Sequence, residues 1–262
     1  MNRADKSSNK KLDDKTAKAS KPVEATSPAP TEQQQTLTIQ QAINLGVQHH
    51  SAGDLPKAEG IYQQILNAEP NQPVALHLLG VIAHRVGKND IAVDLIGQAL
   101  AIKPDYADAH GDLGNMFKKQ GKLDDAVACY LKVLAINPYY LVAHNNLGNA
   151  LKEQGKLDDA VVSYRKALGI NPDYAEAHYY LGNVHKEQGK LDDAVSSYQK
   201  ALAIKPDDAG NFYYGLGSVL LIKGQHIEGL NYKQKGKGMI VFKNDKKHHF
   251  QISFKTEGKA TR

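Results

Sequence analysis

The 262-residue sequence has a single cysteine, Cys129, and no hydrophobic run that approaches the roughly 18 apolar residues of a membrane span. One cysteine excludes an intrachain disulfide framework and any metal site built only of cysteines. The N-terminus carries charges but lacks the apolar segment that directs secretion. These absences predict a cytoplasmic chain without a transmembrane segment.

Motifs of catalysis are also missing from the sequence. No G-x-S-x-G nucleophile motif occurs, and "GKGM" at 236–239 lacks the spacing and the Lys-Ser/Thr ending of a phosphate loop. His110, His144 and His178 recur at one spacing, but packed helices lie roughly 8–10 Å apart, whereas Zn–N bonds are about 2.0–2.1 Å long. We therefore predict no catalytic residues, no metal site and no cofactor, and we expect the chain not to be an enzyme.

The net charge of +5 is unevenly distributed. Residues 1–38 are rich in Lys, Ser, Pro and Gln, and this composition predicts a disordered leader because almost nothing in it can be buried. Residues 39–222 have sixteen Lys and Arg against twenty Asp and Glu, whereas residues 223–262 have ten against three. A mildly acidic middle is not typical of a nucleic-acid scaffold, so we expect no specific nucleic-acid partner.

The middle of the chain repeats every 34 residues without a gap. The string "QGKLDDAV" occurs at 120–127, at 154–161 and at 188–195. Each block also contains a Leu-Gly pair, a second glycine seven residues later, an alanine and a late proline. A fixed period of this length indicates a solenoid. The five complete blocks are 39–72, 73–106, 107–140, 141–174 and 175–208.

The third block shows the physical chemistry of one repeat. Small and apolar residues recur at helical spacing in two runs, roughly 108–120 and 123–136. Gly121 lies between them, where a residue with positive φ can end the first helix. Asp124 and Asp125 fall in the first turn of the second helix, where the helix dipole favours negative charge. The octapeptide is therefore predicted to be a helix–turn–helix joint and not a carboxylate dyad, which would need environments that separate two pKa values.

This pattern resembles the tetratricopeptide repeat, whose signature is a 34-residue Leu-Gly…Ala…Pro spacing. The resemblance covers the five blocks and implies an all-α, right-handed superhelical solenoid of antiparallel helix pairs. One departure is the large aromatic residue expected three positions before Leu-Gly, which is histidine in three blocks. The sequence of the third block, "YADAHGDLGNMFKKQGKLDDAVACYLKVLAINP", is most similar to the repeats of O-linked N-acetylglucosamine transferases and their bacterial relatives.

A degenerate sixth block at 209–236 follows the regular repeats. Its Leu-Gly pair at 216–217 comes one residue late, and we predict that this block caps the solenoid, since an end repeat must present a polar outer face. The basic tail at 237–262 comes next. Its apolar residues alternate from Phe250 to Phe254, which is consistent with a short β-hairpin that covers the end of the solenoid.

The candidate binding residues lie beside the Leu-Gly pairs. The resemblance implies that the first helix of each repeat lines an inner, concave surface. An asparagine amide offers two donors and an acceptor, so it can pair with the backbone of an extended peptide. Asn115, Asn149 and Asn183 recur at one solenoid step and are predicted to form a ladder of the kind that the transferases use to hold protein substrates. The whole predicted set is Asn44, Asp112, Asn115, Asn146, Asn149, Tyr179, Tyr180 and Asn183.

A structural role is the alternative for this ladder, because asparagine also caps and packs at crowded helix positions. If the ladder binds a ligand, we expect its side chains to be solvated when the ligand is absent. The predicted function is then a non-catalytic scaffold or adaptor that binds an extended peptide segment of another protein in the concave groove.

Two other functions stay open at this point. The chain could be the substrate-recognition part of a split or truncated glycosyltransferase-type enzyme. It could also be a scaffold that its basic C-terminal tail attaches to an anionic surface. The sequence identifies neither the partner nor the oligomeric state.

Overall fold

The computed structural model describes residues 37–206, 209–237, 239–244 and 250–255. The predicted leader up to residue 36, the "KKHH" segment and the last seven residues lie outside the described residues. Over the described ranges the chain forms paired helices followed by two short strands. The elements are α1 (Ile39–Ser51), α2 (Leu55–Ala68), α3 (Pro73–Arg85), α4 (Asn89–Ile102), α5 (Ala107–Lys119), α6 (Leu123–Ile136), α7 (Leu141–Glu153), α8 (Leu157–Ile170), α9 (Ala175–Glu187), α10 (Leu191–Ile204), α11 (Gly210–Ile222), α12 (His226–Lys237), β1 (Met239–Asn244) and β2 (Phe250–Lys255).

The turn between α7 and α8 shows why each pair forms. Gly155 has a φ of 76°, a left-handed conformation that costs little only without a Cβ atom. The N–H of Lys156 donates to the carbonyl of Leu151 at 2.9 Å and closes the last turn of α7. Asp158 and Asp159 lie exposed in the first turn of α8, where the helix dipole stabilises them. The prediction of a helix–turn–helix joint is confirmed.

The same octapeptide also joins one helix pair to the next. Gln154 donates from Nε2 to Oδ1 of Asp124 in the preceding pair at 2.8 Å. Gln188 makes the same 2.8 Å bond to Asp158. The first residue of one "QGKLDDAV" therefore binds the first aspartate of the copy before it. The sequence alone did not predict this contact, since it joins residues 30 positions apart.

Each pair crosses where the Leu-Gly glycine meets a residue of the second helix. Tyr164 is fully buried against Gly148, and a Cβ atom added at Gly148 would lie 2.7 Å from Cε1 of the tyrosine. Ala160 is also fully buried at this crossing. The repeat therefore needs glycine and alanine here because the two helices approach closely. The equivalent buried residues of the other regular pairs are Tyr62, Ile96, Tyr130 and Tyr198.

The recurring histidines hold the loops that enter the first helices. Nε2 of His144 lies 2.9 Å from the carbonyl oxygen of Pro138, to which it donates a hydrogen bond. The imidazole therefore replaces the expected interface aromatic and also fixes the loop from the preceding pair. The same 2.9 Å bond recurs at His110–Pro104 and His178–Pro172.

The last helix pair packs differently from the five before it. A Cβ atom added at Gly217 would lie 2.5 Å from the carbonyl oxygen of Gly229, so α11 and α12 meet backbone to backbone. Lys233 takes the place of the buried tyrosine, and its Nζ lies 4.5 Å from the ring centroid of Tyr214. After α12, β1 and β2 pair antiparallel, with Met239 opposite Lys255. The paired strands lie where the alternating residues predicted a hairpin.

Candidate functional site

The predicted asparagine ladder is tied to the buried tyrosines. Asn149 is half-buried, and its Oδ1 accepts a hydrogen bond of 2.8 Å from the hydroxyl of Tyr164. The expectation that these side chains are solvated without a ligand is therefore wrong for the amide oxygens. The amide Nδ2 groups, by contrast, make no hydrogen bond within the described part of the chain. The equivalent bonds are Tyr130–Asn115 at 2.8 Å and Tyr198–Asn183 at 2.7 Å.

The first helix pair, α1 and α2, shows why the buried tyrosine hydroxyl needs this hydrogen bond. Tyr62 is as deeply buried as Tyr164, but Val47 occupies the position of the asparagine. The hydroxyl of Tyr62 is buried without a partner among the described residues, and burial raises the pKa of this group to about 12. Buried hydroxyl groups are normally hydrogen-bonded, so one role of the asparagine is to accept a hydrogen bond from the tyrosine hydroxyl. The co-occurrence of Asn and Tyr in blocks three to five was the sequence signal for this pairing.

Three of the predicted residues lie together between α5 and α7. Asn146 donates from Nδ2 to Oδ1 of Asn115 at 3.1 Å and links the two helices. Asp112 accepts at Oδ2 from Nε2 of the buried His77 at 2.9 Å. The other ring nitrogen of His77 accepts from the hydroxyl of Tyr106 at 3.0 Å. Sequence reasoning missed His77 as the residue that positions Asp112.

These residues surround a cleft of about 270 Å³, here called the α5–α7 cleft. Val133 and Ala143 are buried beneath it, and Gly111 contributes no side chain. Its remaining lining is polar apart from the half-exposed Val142. The full lining is Asp108, Gly111, Asp112, Asn115, Tyr130, Val133, Tyr140, Val142, Ala143 and Asn146.

The electrostatics of the α5–α7 cleft are negative. Asp108 accepts at Oδ1 from the hydroxyl of Tyr140 at 3.0 Å. Burial, and then the charges of Asp108 and Asp112, raise the pKa of Tyr106 to about 12. Burial and the hydrogen bond to Asp108 likewise raise the pKa of Tyr140. Asp108 and Asp112 both line the cleft, and two carboxylates disfavour further negative charge there.

Tyr179 and Tyr180 are partly packing residues. The ring of Tyr179 lies 5.1 Å from that of Phe212 and 5.9 Å from that of Tyr198, so it joins α9 to α10 and α11. Tyr180 stacks on Tyr164 at 6.0 Å with an interplanar angle of 20°. Both tyrosines are half-buried and keep part of their surface exposed.

Asn44 stands apart from the other predicted residues. It lies exposed on α1 and accepts from Nε2 of Gln40 at 3.0 Å. The structure thus brings Asp112, Asn115 and Asn146 into one cleft and leaves Asn44 away from it.

Ion pairs connect the ends of successive first helices. Nζ of Lys118 lies 3.6 Å from Glu153, and Nζ of Lys152 lies 3.1 Å from Glu187. Exposed pairs of this kind contribute little stability, about 0–1 kcal/mol. The positive charges of Lys118 and Lys152 are thus each paired with a carboxylate of the next repeat.

The described residues present no activated nucleophile at Cys129 and no cluster of metal ligands. Cys129 is buried, and burial raises the pKa of its thiol to about 11, so the reactive thiolate is scarce at neutral pH. Within the same ranges, no three His, Cys, Asp or Glu side chains gather in a way that could hold a metal ion. None of the helices described has the length and apolar character needed to cross a membrane.

Comparison with known families identifies the repeats. Residues 114–155 and 148–189 match a family described as TPR repeat, and residues 175–208 match the tetratricopeptide repeat. Residues 114–208 are therefore tetratricopeptide repeats, and the helix pairs form a TPR solenoid. No curated protein matches the sequence.

Several solved structures have the same fold, and most of the length of each one aligns with this chain. A structure of MamA is 25% identical over 63% of this chain and 96% of that one, with a TM-score of 0.58. PilW, described as a widely conserved type IV pilus biogenesis factor, is 21% identical over 75% and 91%, with a TM-score of 0.68. PilF of Pseudomonas aeruginosa is 16% identical over 74% and 88%, with a TM-score of 0.66. The last two show the fold alone.

Proposed function

We propose that this protein is a non-catalytic scaffold or adaptor that binds an extended peptide segment of another protein. Protein binding is the role that TPR repeats indicate in general. The peptide would lie along the surface formed by the first helices α5, α7 and α9, here called the inner face. The observation that supports this proposal most directly is the repeated amide Nδ2 group of Asn115, Asn149 and Asn183.

The spacing of these amides suits an extended chain. Neighbouring packed helices lie roughly 8–10 Å apart, and an extended peptide in the polyproline II conformation advances about 3.1 Å per residue and repeats its orientation every three residues. A peptide that crosses the inner face would therefore present a backbone carbonyl to each asparagine about every third residue. The amide donates to that carbonyl without selecting a side chain, which fits a binder whose specificity is set elsewhere on the surface.

The buried tyrosines act as positioning residues in this proposal. Each Tyr hydroxyl engages the Oδ1 atom of its asparagine, as Tyr164 does with Asn149 at 2.8 Å. This bond fixes the amide plane and leaves Nδ2 to donate to the ligand. Orienting the amide before binding lowers the entropy that the complex has to lose.

The test uses a displayed library of random dodecapeptides, selected on the full chain, with affinities then measured by calorimetry. The key variant replaces Asn115, Asn149 and Asn183 with aspartate, which keeps an acceptor for each tyrosine and removes the donors. Three hydrogen bonds of about 0.5–1.5 kcal/mol each predict a loss of affinity of about two orders of magnitude if they are roughly additive. Selected peptides that bind this variant like the wild type would overturn the proposal.

Two controls separate the donors from charge and from the tail. Gln64→Glu, Asn67→Asp and Gln199→Glu together add the same charge at exposed positions of second helices, and we expect peptide affinity to be retained. Lys243→Glu, Lys246→Glu and Lys247→Glu change the basic tail and should also leave affinity unchanged. Loss of binding only in the tail variant would move the site from the inner face to the C-terminus.

The other two functions from the sequence remain alternatives. A role as the recognition part of a split glycosyltransferase depends on the narrower likeness to the transferase repeats, which stays a prediction. We expect no hydrolysis or transfer of sugar nucleotides by the purified chain. Attachment to an anionic surface predicts that vesicles of anionic lipid bind the wild type and not the tail variant. A cytoplasmic location also stays a prediction.

A further inference from the structure

We propose that the α5–α7 cleft binds one lysine or arginine side chain of the peptide and so sets the register of the peptide on the inner face. This inference rests on the proposed function, because the cleft opens between two helices of that face. It adds the specificity that the asparagine amides lack.

The shape of the cleft suits a single side chain. Gly111 stands where the other regular repeats have Ile43, His77, Asn145 and Tyr179. A Cβ atom added at Gly111 would have its nearest neighbour, Cγ2 of Val133, at an ordinary contact distance of 3.9 Å. The volume of about 270 Å³ is below the roughly 300–1,000 Å³ of small-molecule sites. The glycine thus leaves room that a side chain from a partner can fill.

The charge of the cleft selects a cation. Asp108 uses Oδ1 to accept from Tyr140, and Asp112 uses Oδ2 to accept from His77. The second oxygen of each carboxylate makes no hydrogen bond or ion pair within the described residues. The lining of the cleft, all of it described, contains no Lys or Arg. A cationic head group can therefore form charge-assisted hydrogen bonds with both free oxygens.

The apolar part of the cleft suits the stem of the same side chain. Val133 and Ala143 lie beneath the carboxylates, and Val142 is 48% exposed beside them. Lysine and arginine bury their methylene groups against apolar surface while the charged end stays at a polar rim. An acidic side chain would face two carboxylates, and an aromatic one would cover them without pairing their charges, which is costly.

The corresponding site two repeats along the chain is already occupied. Glu176 stands on α9 at the position of Asp108 on α5, but Nζ of Lys205 lies 2.5 Å from its Oε1. Tyr180 replaces Asp112 at the second position. Among the five regular repeats, only the third has aspartate at both of these positions together with a glycine just before the second one. One cation-binding pocket on a repetitive surface can fix which peptide residue meets which repeat.

The experiment repeats the dodecapeptide selection and examines the recovered sequences. We expect Lys or Arg to be enriched at one position on the wild type and not on Asp108→Asn/Asp112→Asn, whose amide oxygens still accept from Tyr140 and His77. In a selected peptide, norleucine for lysine or citrulline for arginine should weaken binding to the wild type by about tenfold to a hundredfold. The same peptide change should have little effect on the double variant, because the contact is already lost.

A second variant tests the shape independently of charge. Gly111→Leu should fill the cleft and remove the preference for the basic residue. Gly97→Leu is its control, since Gly97 lies exposed on α4 and an added Cβ atom meets nothing within 4 Å. Thermal unfolding of both variants checks that they fold. Unchanged preference for Lys or Arg in Gly111→Leu overturns the assignment of the cleft.

The outcomes separate the two proposals. Peptides that depend on the three asparagines but show no basic position, or no coupling to Asp108 and Asp112, overturn this inference and leave the proposed function standing. Peptides that do not depend on the asparagines overturn both proposals. Coupling between the basic residue and the two aspartates supports both.

Discussion

The hydroxyl of Tyr164 donates a 2.8 Å hydrogen bond to Oδ1 of Asn149, and the same bond occurs in the repeats before and after it. It joins a fully buried residue of the second helix to a half-buried residue of the first. In these three repeats the core and the inner face are therefore coupled through one bond. A substitution at the asparagine should change stability as well as binding.

Asn149→Ala should destabilise the fold more than Tyr164→Phe. The first change leaves a buried hydroxyl without an acceptor, at a cost of about 1–3 kcal/mol, whereas the second loses a bond worth about 0.5–1.5 kcal/mol. In the double variant the costs should not add, because the interaction is already absent. Denaturant unfolding of the four proteins measures this coupling, and strict additivity would show that the bond contributes nothing.

Tyr62→Phe provides the matched control for the tyrosine. Its ring is buried to the same extent, but its hydroxyl lacks a partner among the described residues. We therefore expect this variant to be as stable as the wild type or slightly more stable. Val47→Asn should instead raise stability, since it offers Tyr62 the acceptor that the third, fourth and fifth repeats have. A loss of stability in Tyr62→Phe equal to that in Tyr164→Phe would contradict the role given to the asparagine.

Gly148→Ala should destabilise the fourth repeat although alanine favours helices. The new Cβ atom would lie 2.7 Å from Cε1 of the fully buried Tyr164, so the helices must move apart, and overpacking of this kind costs about 1–3 kcal/mol. Gly97→Ala, where an added Cβ atom meets nothing within 4 Å, should instead stabilise by about 0.5–1 kcal/mol. Thermal unfolding distinguishes the two signs.

Ala160→Asp tests the same crossing with charge instead of volume. Ala160 is fully buried within the tyrosine-lined core of the fourth repeat. An aspartate there has no cation to pair with in that core, so the loss of stability should exceed that of Gly148→Ala. Circular dichroism on heating is sufficient to measure it. Melting curves like that of the wild type for both variants would show that the assigned repeat register is wrong.

The regular features of the fold could be predicted because they are local. The positive φ of Gly155 and the exposed aspartates of the joint follow from the chain within a few residues. The bond from Gln154 to Asp124 and the bond from Tyr164 to Asn149 could not be predicted in the same way. They depend on how two helices rotate about their axes, which a periodic pattern leaves undetermined.

The candidate site was predictable only in part for the same reason. The sequence identified Asp112 and Asn115 as inner-face residues, but not the cleft that contains them. The cleft exists because Gly111 omits a side chain over Val133, and this effect appears only when the helices are packed. His77 was missed because its partner Asp112 lies 35 residues away, on the next first helix.

His185 should make the fold sensitive to mild acid. Burial is the main cause that holds the pKa of His185 below its ordinary value, and the charges of Arg165 and Lys190 act in the same direction. The hydrogen bond to Gln188 and the charge of Asp193 oppose them. The folded state thus favours the neutral imidazole, and the unfolded state binds more protons below a pH of about 6.5. Stability should be complete above that pH and fall as the pH decreases through it towards the lower folded pKa.

Two reciprocal variants check this pH dependence. His185→Phe should reduce the fall in melting temperature between pH 7 and pH 5, because phenylalanine does not titrate. Phe117 occupies the same position of the third repeat, so Phe117→His should introduce a new acid sensitivity there. Equal pH profiles for the wild type and His185→Phe would remove His185 from the explanation.

Gly111→Ala should increase stability, in contrast to Gly148→Ala on the next first helix. Gly111 lies inside α5, and a Cβ atom there makes only an ordinary 3.9 Å contact with Val133. Alanine in a helix interior is favoured over glycine by about 0.5–1 kcal/mol. For a chain of this size that gain should raise the melting temperature by a few degrees at most. No packing constraint therefore requires glycine at this position, unlike Gly148, and the open cleft is the feature that it preserves. A decrease in stability measured for Gly111→Ala would mean that packing, and not a ligand, accounts for the glycine.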